Sequence, residues 1–591
     1  MIATTVRLIA SAAVLALAVA ACKSSPPPRP AVPYNVLVIS LDTVRQDVLG
    51  TYGHRPKYAP DVDTSPALTR LAREGVRMTD AYSSSSWTLP SHIALMTGRP
   101  GIAHAVESEG AVLDPGIPTL AEMLSNHGYR TAGIYSAPYL DPYWGFARGF
   151  ETYTPVYGAV ATDISARVAA LRTEAEQAAA AGDWARYDDT KRRLTTVEGE
   201  LNDNSQIIVT SPQVAESTIA QLETFAQDGR PWFVFAHFFD AHCDYVPPPP
   251  YATRFDPDYT GTFSGEGCMG GPHVGTPHPD RPGALVRAIS DRDLEHAYAL
   301  YEGEVAWVDE HLGKILDALD RTGMAKHTLV VVMSDHGEEF FEHDGLGHRR
   351  TLYEEVVRIP LVLRLPDVLP SGTVVSGAVS LPDVLPTVLD VLGLPAAATP
   401  GGRSFFGALR SGRPIEHAPL FRTVMMFGGE VQIDGGAPVT LRQVVVQDGF
   451  RHGTIKVQRR RSWPQFQAGL APDATAILQR EAAAQYAQEE LRWIDLGRRP
   501  SEPRAEYSTD FTGTAAREAL AAFQHAYAEG LEHRPSEHRT SPLPHNIRSK
   551  LESLGYLERE TGPAFPEPDL VLPIPGDPEG KTRRRQDPDT R

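Results

Sequence analysis

The segment Tyr34-Asn-Val-Leu-Val-Ile-Ser-Leu41 is apolar and β-branched without alternation, the pattern of a strand buried on both faces. Similar runs occur at Thr131–Tyr135, Trp232–His237, Leu329–Met333 and Pro360–Leu365. Between them stand helical patterns at Ser65–Glu74, Thr119–His127, Val214–Ala226 and Leu294–Leu319. Strands alternating with helices predict an α/β fold, an α/β/α sandwich whose mostly parallel central sheet carries helices on both faces. Open sheets of this kind bind ligands beyond the carboxyl ends of their strands. Asp42, His237 to Asp240 and Ser334 to Glu338 stand at such ends, so topology alone nominates them for a common pocket.

Two stretches interrupt this pattern. Residues 160–204 are rich in Ala, Glu, Arg and Lys around Gly182-Asp183 and read as an inserted helical hairpin of solvated scaffolding. Residues 265–282, rich in Gly, Pro and His, read as a loop insertion at the pocket rim. The interrupted domain spans residues 34–394. Beyond it, Leu441–Gln447 and Gly453–Gln458 read as short strands about an Asp448-Gly449 turn. Residues 395–557 are therefore expected to form a smaller C-terminal subdomain with a short antiparallel sheet, against which the helical Thr514–Gly530 packs. Residues 558–591 hold Pro, Gly and charge with almost no apolar periodicity, the composition of a disordered tail.

The N-terminus bears on where the protein works. Arg7, the apolar run Leu8–Val19 and Ala20-Ala21-Cys22 have the form of a secretory signal over residues 1–21, too short to span a membrane. Val19-Ala20-Ala21-Cys22 also resembles a bacterial lipobox, which implies a lipid on Cys22 and a flexible proline-rich tether over residues 22–33. Simple secretion with cleavage nearby is the alternative. The expectation is export to the cell envelope, periplasm or outer membrane, with membrane contact through that anchor. Of the other cysteines, Cys243 and Cys268 fit either a disulfide or a free buried pair. The length of 591 residues and the 42% hydrophobic content suit one large domain plus a smaller one. A formal net charge of −18 argues against a nucleic-acid partner, which needs a basic face.

Candidate chemistry concentrates in a few motifs. Trp87-Thr88-Leu89-Pro90-Ser91-His92-Ile93-Ala94-Leu95-Met96-Thr97-Gly98 opens a helix with a hydroxyl at its first turn, where N–H groups and the helix dipole favour an anion. Ser334-Asp335-His336-Gly337-Glu338 follows a buried strand directly. Phe340 to His348 and the strand-end run His237 to Pro248 add further histidines. In this order, and with Asp42 at the end of the first strand, these motifs resemble the sulfatase family of the alkaline phosphatase superfamily from about Asn35 to Leu394.

That resemblance implies an alkaline phosphatase-like fold and one divalent cation shared by Asp42, Thr88, Asp335 and His336. Two carboxylates, an imidazole and an alkoxide suit Zn²⁺ or Mn²⁺; Ca²⁺ and Mg²⁺ are the other options, with Ca²⁺ disfavoured by the imidazole. Thr43 stands where the family has a further acidic ligand, which again disfavours Ca²⁺. Thr88 holds the nucleophile position, and His242 and His348 match residues that flank the transferred group, acting as acid and hydrogen-bond donors. His92 replaces an arginine that supports the nucleophile and pairs with substrate oxygens. For His237, His343 and His104 the structural reading is preferred, while Glu338 and Glu339 read as partners of the ligands or as helix-start carboxylates.

A threonine hydroxyl needs a metal or base to become a nucleophile. It also cannot be converted to the formylglycine on which standard sulfatases depend, so the covalent adduct must be cleared by water, which suits a phosphoryl intermediate. The expected activity is hydrolysis of a phosphate or sulfate ester of a small molecule or glycan. A sulfatase acting without formylglycine, a phosphoryl transferase and a non-catalytic surface-binding lipoprotein are the alternatives.

Overall fold

The computed structural model describes residues 33–156, 210–266, 274–278, 284–395, 399–431, 439–466, 488–536 and 539–544, with shorter stretches inside 167–197 and 547–572. The expected signal segment, Cys22, most of the tether, the centre of the helical hairpin at Gly182 and Cys268 lie outside the described residues.

The first part of the chain supplies β1 (Asn35–Leu41), β2 (Val76–Tyr82), β3 (Arg130–Tyr135), β4 (Thr152–Pro155), β5 (Trp232–Phe238), β6 (Gly275–Pro277), β7 (Leu285–Arg287), β8 (Thr328–Ser334), β9 (Glu339–Phe340), β10 (Leu346–Gly347), β11 (Arg358–Ile359), β12 (Leu361–Arg364) and β13 (Thr373–Ser380). Nine of these form the central sheet in the order β11-β2-β12-β8-β1-β5-β3-β4, with β13 beside β2. Its middle, β8-β1-β5-β3-β4, is parallel throughout, and β12 runs antiparallel to β8 and to β2. The pairs β6–β7 and β9–β10 are short antiparallel excursions.

Both faces of the sheet are covered, as the unbroken apolar runs require. One face packs helices α2 (Thr88–Thr97), α3 (Leu120–Asn126) and α6 (Val384–Val391), burying Val36 and Val38 with Leu89, Ile93, Leu124 and Leu385. The other packs α1 (Pro66–Glu74), α4 (Ser211–Ala226) and α5 (Asp291–Arg321), burying Leu37 and Ile39 with Leu71, Leu222, Val308 and Leu312. Helix α3 begins with a capping box, in which the Glu122 N–H donates to the Thr119 hydroxyl and the Glu122 carboxylate accepts the Thr119 N–H.

The C-terminal sheet departs from expectation in length. Strands β14 (Leu420–Val431), β15 (Val439–His452), β16 (Ile455–Phe466) and β17 (Gln488–Asp495) form one antiparallel sheet in sequence order. Asp448-Gly449, expected as a turn, lies inside β15 opposite Phe421 and Arg422, and the chain reverses instead at Gly453, whose φ is 59°. Helix α7 (Thr514–Glu532) packs on one face of this sheet, as its periodicity predicts, placing Ala519, Phe523 and Tyr527 against Val444, Val446, Phe450 and Val457.

Two expected boundaries shift. Phe405, Phe406, Leu409 and Ile415 join the core of the large domain, so the chain after residue 394 leaves that domain only at β14. In the stretch expected as a disordered tail, Leu570 and Leu572 are buried against the C-terminal sheet. The Arg422 guanidinium donates to the Leu570 carbonyl, a contact that composition could not foretell.

Candidate active site

Strand register brings the expected metal ligands together. Leu41 pairs with Phe238 on one side and with Ser334 on the other, so β1, β5 and β8 end level. The residues that follow, Asp42 and Asp335, therefore emerge side by side, and both are fully buried. Helix α2 lies on the face that carries Ser40 and His237 and brings its first residue, Thr88, to the same point.

Thr88 Oγ1 donates toward Asp42 Oδ2 at 3.5 Å and stands 3.4 Å from His336 Nε2. His336 Nε2 is 3.3 Å from Asp335 Oδ2 and 3.7 Å from Asp42 Oδ1. Its other nitrogen, Nδ1, donates to the Gly337 carbonyl at 2.9 Å, which leaves Nε2 with a lone pair toward the carboxylates. Asp335 Oδ1 accepts the N–H groups of Thr43 and His336, whereas Asp335 Oδ2 and Asp42 Oδ1 find no hydrogen-bond donor although both are buried. Two orphaned carboxylate oxygens and an imidazole lone pair, with ligand atoms within 4.8 Å of one another, are the donor set of a cation and fit the metal expected from sequence. Burial pushes the carboxyls of Asp42 and Asp335 up to about 7, and for Asp335 the charge of Asp42 adds to the effect. A cation between them reverses that cost.

Thr43, at the position of the missing acidic ligand, has φ of 56° and serves as a brace. Its hydroxyl donates to the Asp42 carbonyl and its own carbonyl accepts from Tyr301. His92 differs from its expected place beside the substrate. Its ring has no exposed surface; Nδ1 donates to the Thr88 carbonyl at 2.9 Å and Nε2 accepts from Ser40 Oγ at 2.9 Å. Burial lowers its pKa to about 4, so it is a neutral strut that ties the Thr88 backbone to β1. The bond to the Thr88 carbonyl one turn back and the bond from Ser40, far away in sequence on β1, together hold the ring inward.

His242 and His348 do come together, with ring centroids 4.8 Å apart and nearly edge to face. His348 also lies 4.6 Å from the His336 ring. Glu338 accepts from His348 Nδ1 at 3.1 Å, so it orients a site residue rather than opening a helix. His242 Nδ1 donates to the Cys243 carbonyl at 2.8 Å, and its ring stacks on Phe239. Burial lowers the pKa of both imidazoles, that of His242 to about 3 with the neighbouring His348 contributing.

Other candidates find structural work. Asp240 accepts from Thr210 N and Oγ1, from Ser211 N and from Trp307 Nε1, which makes it the acceptor for the start of α4 rather than part of a second metal set. Glu339 holds the N–H groups of His343 and Gly345 and the hydroxyl of Thr351. His343 bridges Glu355 and the Glu502 carbonyl. His237, set aside at the sequence level, stands within the site, its Nε2 3.2 Å from Asp42 Oδ2. The strand-end position that nominated it is confirmed by β5, where it lies opposite Ser40 and one residue short of the aligned strand ends.

A family model for sulfatases matches residues 34–394, more than half of the chain. The chain belongs to the sulfatase family. It is accordingly a hydrolase of sulfuric or phosphoric esters. Relatives in the family include the steryl-sulfatase of Mus musculus, 27% identical over 73% of this chain and 73% of its own length. The choline-sulfatase of Rhizobium meliloti is 24% identical over 61% of this chain and 68% of its own. Among solved structures, the phosphonate monoester hydrolase of Agrobacterium radiobacter has a TM-score of 0.52 at 21% identity, covering 90% of this chain and 100% of that one. A structure in complex with its substrate D-glucosamine-2-N,6-O-disulfate has a TM-score of 0.56 at 16% identity, with coverage of 86% and 100%. The expected α/β fold with its smaller antiparallel sheet is that of these neighbours.

Proposed function

We propose that this sulfatase-family chain hydrolyses a phosphate or sulfate ester with Thr88 as nucleophile, and that a phosphorus ester is its better substrate. The observation that carries this reading is the approach of Thr88 Oγ1 to Asp42 Oδ2 and His336 Nε2 at the N-terminus of a buried helix, beside carboxylate oxygens without donors. Asp42, Asp335, His336 and Thr88 would hold the divalent cation, Zn²⁺ or Mn²⁺ by donor type. A bound ion of this kind lowers the pKa of a coordinated hydroxyl and draws charge from an ester oxygen.

The chain's own residues account for the remaining chemistry. The first N–H groups of α2 face the incoming oxyanion, and the His92 strut keeps the Thr88 backbone from turning away. The Thr88 hydroxyl passes its proton to Asp42 Oδ2, toward which it donates, and its oxygen attacks phosphorus: an O–P bond forms and the bond to the leaving oxygen breaks. An anionic ester beside the neutral His242 and His348 favours protonation of their rings, so the substrate's charge recruits the acid that protonates the leaving oxygen. Glu338 steadies the resulting charge on His348. Water then gives a proton to the imidazole that had protonated the leaving oxygen and attacks the same phosphorus, the P–O bond to Thr88 breaks, and Asp42 returns the proton to the Thr88 oxygen.

Threonine favours phosphorus over sulfur because sulfate expulsion in standard sulfatases needs an aldehyde hydrate, which threonine cannot become. The family membership itself favours the second reading, a sulfatase working without that aldehyde, with a sulfated sugar of the kind bound by the solved neighbour as substrate. Aryl sulfate, phosphomonoester, phosphodiester and phosphonate substrates tested on native protein and Thr88→Ala separate the two. Fastest turnover of a phosphorus ester, lost by on the order of 10³-fold or more in Thr88→Ala, is expected. Full activity in Thr88→Ala would overturn the nucleophile, and fastest turnover of the aryl sulfate would overturn the phosphorus preference.

We further propose export and lipid anchoring through Cys22. Fractionation is expected to find the native chain with membranes and Cys22→Ala in the soluble envelope fraction; identical behaviour of the two would refute the anchor. Among the described residues no helix is long and apolar enough to cross a membrane.

A further inference from the structure

His237 stands on β5 opposite Ser40, on the sheet face that carries α2, and has no exposed surface. The imidazoles of His237 and His336 meet different oxygens of one carboxylate: His237 Nε2 is 3.2 Å from Asp42 Oδ2, and His336 Nε2 is 3.7 Å from Asp42 Oδ1. On its other side Ser136 Oγ lies 3.5 Å from His237 Nδ1 and donates to the His237 carbonyl at 2.9 Å. His237 Nε2 makes no aligned hydrogen bond among the described residues, so Asp42 is the acceptor within its reach.

Of the two groups among the described residues whose ligand atoms gather within 4.8 Å, Glu339, His343 and Glu355 lie apart in the structural network described above, and the one beside Thr88 consists of Asp42, Asp335 and His336, without His237. Metal–ligand bonds of about 2.0–2.2 Å require ligand atoms within roughly 4 Å of one another, so His237 lies behind the ligands rather than among them. We propose that His237 is a positioning residue for the metal, its Nε2–H donating to Asp42 Oδ2 and so turning Oδ1 toward the cation and Oδ2 toward the Thr88 hydroxyl. A buried imidazole without a bonded partner is costly, and a buried carboxylate needs donors on the oxygen its metal does not take. One Nε2–H···Oδ2 bond meets both needs. It also explains why a histidine occurs in a strand whose other residues are Trp, Phe, Val and Ala.

This role presupposes the cation site of Asp42, Asp335 and His336, so metal affinity is measured rather than turnover. The chelator-stripped full chain is titrated with Zn²⁺ and with Mn²⁺ by calorimetry. His237→Phe and His237→Met, which lack the donor, are expected to bind about 10- to 100-fold more weakly than the native chain, with His237→Gln staying within roughly threefold. Native affinity in the Phe and Met variants overturns the positioning role alone. A native chain that takes up no metal overturns the cation site as well, and with it the proposal. If neither donor-less variant folds, nitrogen-15 NMR of the native histidines decides. A proton on His237 Nε2 is expected, and one on Nδ1 alone overturns the role.

Discussion

Burial governs the charge of the groups around Thr88, and partners decide which ones can bear it. Asp42 and Asp335 sit fully buried with one oxygen each unsatisfied, a state that a cation relieves. Asp335→Asn is expected to keep the fold and lose metal affinity by on the order of 10²-fold or more, measured as metal content after dialysis, with activity lost in parallel. His343 shows the opposite balance. Burial works against its charge, but the hydrogen bond and charge of Glu355 outweigh it, and with the Glu502 carbonyl accepting from Nε2 its pKa is pushed up to about 9. Both ring nitrogens serve acceptors, so the folded ring is an imidazolium. Its unfolded pKa is about 6.5, so its contribution to stability is complete below about pH 6.5 and is lost as pH rises through about 9. Urea denaturation between pH 6 and 9.5, about that range, is expected to show this loss in the native chain and a flatter profile in His343→Phe. That Asp42, Thr88, Asp335 and His336 are candidates for one site was legible because each sits in a strong local pattern. For His237, which strand topology had nominated, and for His92 and His343, the role was not legible, since a histidine's role depends on what the fold sets opposite it.

At the scale of elements, register does what spacing alone could not. The level ends of β1, β5 and β8 turn three distant segments into one site, and each of those strands was visible as an apolar run. Strand β2 was not visible, because Arg77, Thr79 and Asp80 break its apolar pattern although it pairs with β11, β12 and β13. The misread turn has a similar cause. Asp-Gly favours tight turns, but here Asp448 is consumed by ion pairs with Arg422 and Arg459. Gly449 meanwhile leaves room for the Phe421 ring, whose Cε2 would lie 2.1 Å from an added Cβ. Gly449→Ala is therefore expected to destabilise the chain by about 1–3 kcal/mol, seen as a lower urea midpoint with an unchanged slope. A neutral outcome would mean that the ring moves freely.

At the scale of the whole molecule, the C-terminal sheet is a wall of the active-site region. Thr423 Oγ1 donates to the Arg349 carbonyl at 3.1 Å and Gln447 Nε2 to the Arg350 carbonyl at 2.7 Å, directly after His348. Deeper in the same contact, Lys456 is fully buried and donates to Glu354 at 3.0 Å and Glu502 at 2.9 Å. Lys456→Met leaves the buried Glu502 without its cation and Glu354 with only the longer ion pair to Arg451 at 3.5 Å. A loss of about 3–5 kcal/mol is expected by denaturation, recovered in part when Glu502→Leu is added. If the single variant were as stable as the native chain, Lys456 would not be the tie between the two sheets.

Local pattern was sufficient for the alternation of strands and helices, the parallel sheet, the strand-end aspartates and the helix-borne threonine, because each depends on neighbours within a few residues or on periodicity. Folding in three dimensions was needed for the rest: the bracing of Thr43, the inward turn of His92, the approach of His237 to Asp42, the capping use of Asp240 and the burial of Leu570 and Leu572. Those outcomes turn on which groups meet across tens to hundreds of residues, where the energy of a buried contact overrides what the adjacent sequence prefers.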